Sequence, residues 1–152
     1  MIIRRINFKG IISGIITATI LTIFVSFVGY FLEHTISTKA ENYKGSLDYI
    51  NEGGLNYIIG HIKFQPALFL LDVISIIVIV FIPAYVCARV ANQQYILHAI
   101  LIGAIYLTIP FILEGMSSMN AYDLLLFSLI LPISYFAGYI CKRFNESSNT
   151  YK

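Results

Sequence analysis

Apolar residues come in four long runs, over about 8–32, 66–88, 95–113 and 121–140, with polar residues gathered between them. Each run is long enough to cross a bilayer as a helix. A hydrocarbon core about 30 Å thick takes about 20 residues at 1.5 Å each, and lipid offers backbone N–H and C=O groups no partner outside the helix itself. The pattern predicts an all-α integral membrane bundle of four transmembrane helices.

The first run carries an internal repeat. Gly10, Gly14, Ala18, Thr22 and Ser26 recur every four residues, with Ser13, Thr17 and Gly29 close to the same face. Lipid supplies little drive to join helices, so small residues that let backbones approach make a packing seam. This face is expected against another helix, in the same chain or in a second copy. Ile15, Ile16, Ile20, Leu21 and Ile23 lie mostly off it, toward lipid. Pro66 is placed to open the second helix, where a missing N–H costs nothing, whereas Pro83, Pro110 and Pro132 fall inside the later helices and are expected to kink them.

Residues 34–65 are the only sizeable polar stretch. Within it, 40–50 sets Tyr43, Leu47 and Ile50 at helical spacing and Gly53-Gly54 breaks the chain. The following 55–64 is apolar enough to lie along a membrane surface, with Tyr49, Tyr57 and Phe64 suited to headgroup level. The segment reads as a connector resting on the bilayer or as a contact surface for an outside partner.

Composition agrees with the pattern: of 152 residues, 58% are hydrophobic and 12% charged, against roughly 25% charged in a soluble domain. The chain is one domain, 1–152. Its formal charge of +2 is small and its basic residues are scattered, which argues against nucleic acid. Their positions carry more. Arg4, Arg5 and Lys9 precede the first run, Arg89 joins the second to the third, and Lys142, Arg143 and Lys152 follow the fourth. The loop lysines Lys39, Lys44 and Lys63 are diluted by Glu33, Glu41, Asp48 and Glu52, and the last connection has Glu114 with no Lys or Arg. The bias predicts both termini in the cytoplasm and the 34–65 loop outside. The first run is too long for a signal peptide and lacks a cleavage site, so it reads as a retained anchor. Cys87 and Cys141 form no CxxC pattern and read as small residues at helix contacts.

The stretch Pro83-Ala84-Tyr85-Val86-Cys87-Ala88-Arg89-Val90-Ala91, a short polar connection, and then His98-Ala99 with Gly103 resemble a helix hairpin of a known group. The hairpin it resembles is the second-to-third one of a loose group of small uncharacterised bacterial four-span inner-membrane proteins. There a small-small-Tyr-x-Ala-Ala-Arg run closes one helix and His-Ala-x-x-x-Gly opens the next. Pro83 and Cys87 stand where small residues are usual in the group, and Pro132 and Gly138 are faint echoes in the fourth helix. The resemblance covers residues 83–103. It implies the bacterial inner membrane and brings no activity.

Asp72 is the ionisable residue that stands out, set between Phe69-Leu70-Leu71 and Val73-Ile74. A charge at mid-membrane costs roughly 2.5–3.5 kcal/mol on insertion scales, so it is expected to face the bundle interior or water near the outer boundary. It reads as a proton or cation site, or as a hydrogen-bonded, snorkelling carboxylate. Glu114 and Asp123 flank the last connection, where Asn120 can cap the fourth helix. Together with Asp72 and Glu33 they make a polar or ion site if the bundle joins those ends, since oxygen-rich groups suit a hard cation.

Arg89 and His98 are expected at the inner interface, the first snorkelling to lipid phosphates, the second starting the third helix. A coupled pH sensor is the other reading of the pair. His34 and His61 lack ligand spacing, and no HExxH, GxSxG or phosphate-binding loop occurs, so no enzyme, metal or cofactor is expected. The expected role is a non-enzymatic accessory, binding or structural subunit. Its partners would be the lipid bilayer and either itself or another membrane protein. A small transporter or channel, with Asp72, Ser75, Thr17 and Thr22 lining a polar path, is the alternative. An immunity-type protein binding a partner through residues 35–65 is the third reading.

Overall fold

The computed structural model describes residues 6–40, 66–113 and 121–149. They form an all-helical bundle of α1 (Phe8–Ala40), α2 (Pro66–Ala91), α3 (Tyr95–Leu113), α4 (Ala121–Ser128) and α5 (Ile130–Asn149). Among the described residues, the stretches Phe8–Leu32, Pro66–Ala91 and Asp123–Ser147 are long and apolar enough to cross a membrane, and Tyr95–Ile109 is a shorter apolar helix. Of the surface helix expected over 40–50, Ala40 is the last residue of α1; the rest, the apolar 55–64 stretch and Glu114 lie outside the described residues.

Helix ends follow local chemistry. Asn7 caps α1: its Oδ1 accepts the Lys9 N–H at 3.0 Å, one of the orphan donors of the first turn. No Pro or Gly follows Leu32 until Gly45, and α1 runs on to Ala40, past the end of its apolar run at 32. Backbone hydrogen bonding needs no apolar side chains to continue. Pro66 opens α2, and the helix stops after Ala91 because Asn92 and Gln94 take left-handed conformations, φ 51° and 48°.

Pro132 has a sharper effect. It cannot donate to the Ser128 carbonyl, and just before it the Leu125 carbonyl accepts from the Ser128 hydroxyl at 2.6 Å while the Leu129 N–H donates to Leu126 at 3.1 Å; regular bonding resumes with Ile133 to Leu129 at 3.0 Å. The single fourth span expected over 121–140 is therefore two helices meeting at Leu129, the second running to Asn149. Helix α2 is continuous across Pro83 and α3 across Pro110.

Helix α2 is the hub. It lies along α1 on one side and packs on α3 and α5 on the other, while α3 packs on α5 and only lightly on α1. The core joins Ala84, Cys87 and Ala88 of α2, Ala99 and Ile102 of α3, and Ala137 and Cys141 of α5. All of it sits where α1 begins, α2 ends, α3 begins and α5 finishes, so the first and last described helices share this end.

Backbones nearly touch there. A Cβ on Gly10 would lie 2.8 Å from the Cys87 carbonyl oxygen, one on Gly14 2.8 Å from Ile102 Cδ1, and one on Gly138 2.7 Å from Ile96 Cα. At the other end, a Cβ on Gly29 would meet none of the described residues within 4 Å. A smaller cluster holds that end, Leu126 of α4 against Phe69, Val73 and Ile76 of α2, while Ile20, Ile23, Phe24, Phe27 and Phe31 of α1 stand exposed. Among the described residues the bundle thus has a closed end and an open end.

Candidate functional site

At the closed end the polar groups serve one another. His98 is 0% exposed. Its Nε2 lies 2.9 Å from the backbone nitrogen of Asn7, and because an amide N–H can only donate, Nε2 carries the lone pair. The ring proton is then on Nδ1, 3.2 Å from the Gln94 carbonyl. Asn7 also donates from Nδ2 to the carbonyl of Ala91 at 3.3 Å, an oxygen left over at the end of α2. One asparagine caps α1, covers the last carbonyl of α2 and engages the histidine of α3. The Cys87 thiol, buried beneath, donates to the His98 carbonyl at 3.4 Å.

His98, expected among interfacial groups, is thus an interior junction, and Asn7 was not foreseen as a partner. Its signal was in the chain all the same, since an asparagine directly before a long apolar run is a strong helix cap. Arg89 is exposed; its Nη1 donates to Asn145 Oδ1 at 2.9 Å, and Asn145 Nδ2 donates to the Cys141 carbonyl at 3.0 Å. That chain ties α2 to α5.

Two grooves flank α1. Between α1 and α2, Asp72 and Ser75 face Ser26 and Tyr30 across a groove of about 510 Å³, with Val25, Leu68, Leu71 and Ile79 as apolar walls. Between α1 and α3, Ala18, Thr19, Thr22 and Ile23 face Ile102, Ile105, Tyr106 and Ile109 across about 310 Å³. The buried Tyr106 hydroxyl lies near Thr22, outside hydrogen-bond geometry to any described residue.

No family model, curated protein or solved structure matches this chain. The residues marked by sequence are divided between the two ends. Of the small-residue seam, Gly10 and Gly14 are buried against α2 and α3, Ala18 is half-buried on the α1–α3 groove, and Thr22 and Ser26 are exposed on separate grooves. Asp72 and Ser75 share the α1–α2 groove, but Thr22 lines the other and Thr17 donates to the Ser13 carbonyl within its own helix, at 2.8 Å. Asp123 is half-buried in the first turn of α4 and does not line the Asp72 groove. Among the described residues, no three His, Cys, Asp or Glu side chains gather as a metal site would require.

These placements set what each end can do. A histidine with both nitrogens engaged and a thiol sealed under it hold helices together. The open end instead presents a carboxylate and hydroxyls on an open groove.

Proposed function

We propose that the chain is a multi-pass membrane protein, both termini cytoplasmic, acting as a non-catalytic accessory or binding subunit that holds a membrane ligand or partner at its open end. The observation that carries this reading is the asymmetry of α1, seated against the α2 backbone at Gly10 and against the Ile102 and Cys87 side chains at Gly14, yet flanked by grooves from Ala18 onward. Membrane insertion is supported by the distribution of side chains. Buried positions are mostly small, whereas Ile12, Ile16, Ile20, Ile23, Phe24 and Phe27 of α1 and Leu70 and Ile74 of α2 face outward. Water penalises an apolar surface of this extent and lipid does not. Orientation is supported by Lys9, Arg89, Lys142 and Arg143, which all belong to the closed end, the end the positive-inside rule assigns to the cytoplasm.

The transporter reading has one observation in its favour, the shared groove of Asp72 and Ser75. Against it, the route past that groove meets the closed contacts of Gly10 with Cys87 and Ala91.

Impermeant thiol labelling tests the reading. Cys87 and Cys141 are buried and give little background. Lys9→Cys and Lys142→Cys are expected to label only after the membrane is opened. Labelling of both in intact cells, or recovery of the chain in the soluble fraction without detergent, overturns the proposal.

A further inference from the structure

We propose that the α1–α2 groove is a binding site for an ammonium-bearing phospholipid, with the Asp72 carboxylate taking the headgroup amine. The inference deepens the membrane-subunit reading and rests on it. Asp72 is about 25 Å from Arg89 along α2 at 1.5 Å per residue. With Arg89 at one boundary of a core about 30 Å thick, Asp72 lies about 5 Å inside the other, within reach of headgroups.

The groove offers what a primary ammonium needs. Such a group is a cation with three donors and no acceptor. Asp72 supplies the countercharge, and the oxygens of Ser75 on the same helix and of Ser26 and Tyr30 on α1 supply acceptors across the groove. A carboxylate accepts several hydrogen bonds at once, so a partner within the chain leaves acceptor capacity for a ligand. None of the described residues lining the groove is a Lys or Arg that would bring a second positive charge.

Shape selects a lipid over a bare ion. About 510 Å³ is far more than a metal ion occupies, and the walls beside the polar patch are apolar, Val25 and Leu71 among them. Gly29 adds no side chain to the groove, and Val25, Leu68, Leu71 and Ile79 are the apolar walls along which acyl chains can lie. An anionic headgroup would meet the carboxylate unfavourably.

Native mass spectrometry of the full chain, offered equal phosphatidylethanolamine and phosphatidylglycerol of matched acyl chains, tests this. The wild type is expected to retain the amine lipid about tenfold over the anionic one. Asp72→Asn is expected to bring the ratio near one while the variant stays folded and monodisperse, and Gly29→Leu, which puts a side chain into the groove, to lower retention of both lipids. An unchanged preference in Asp72→Asn overturns the site, as does a wild type that holds lipid without preference; both leave the membrane reading standing. A chain that retains no lipid and stays in solution overturns the reading beneath it.

Discussion

The two ends of this bundle are built from similar residues and behave oppositely. At the closed end Gly10 and Gly14 bring α1 against Cys87, Ala91 and Ile102, and polar groups are consumed by one another through Asn7 and His98. At the open end Gly29 is just as small, yet none of the described residues stands within 4 Å of where its Cβ would be, and Asp72, Ser26 and Ser75 face a groove. A small residue makes a contact only where a partner helix arrives to use it. The lesson is that a small-xxx-small stripe gives permission for close packing along its whole length, while the helix crossing decides which part is used.

The largest test of this contrast is a pair of identical substitutions. Gly14→Leu must displace Ile102 and Cys87 and is expected to cost about 3 kcal/mol or to prevent accumulation of folded protein, whereas Gly29→Leu should change stability by less than about 0.5 kcal/mol. Melting temperature in detergent and monodisperse yield check both. Equal damage from the two would abolish the distinction between the ends.

A smaller effect sharpens it. His98→Ala strands the Asn7 N–H and is expected to cost about 2 kcal/mol. With α1 loosened, Cys87 should react with a thiol reagent in a Cys141→Ser background, where in the wild type it stays dark beneath Gly10 and Gly14. Cys87 that remains unreactive would mean the histidine does not hold α1 down. The smallest effect has the opposite sign. Gln94 holds φ 48°, a strained backbone for a residue with a Cβ, so Gln94→Gly should stabilise the α2–α3 connection by about 1 kcal/mol, read as a higher melting temperature.

Much of this was legible in the chain. The helices α1, α2 and α3 lie on three of the four apolar runs, Pro66 opens α2 as its chemistry requires, and the hairpin that drew a resemblance at 83–103 contains the best-buried part of the molecule, including Ala84, Cys87, Ala88 and His98. Boundaries read from apolarity were shorter than the helices, because α1 and α5 continue through polar residues whose backbones still bond to their own turns. The break at Leu129 was expected only as a kink at Pro132. Burial of His98 was not legible from its own surroundings. The donor that occupies it is the backbone of Asn7, far off in sequence, and a backbone N–H leaves no mark in the residue type.

The sequence by itself determined that the fold is helical and that its helices carry apolar surface on nearly every face, because run length and composition depend on neighbours along the chain. It also singled out Asp72, a charge in an apolar run. Tertiary structure alone decided that Asp72 shares a groove with Ser26 and Tyr30 while Thr22 faces another, and that Gly14 is sealed while Gly29 meets no described residue. Those outcomes follow from where one helix crosses another, and residues on separate helices share a groove only through the axial offset and rotation that packing selects.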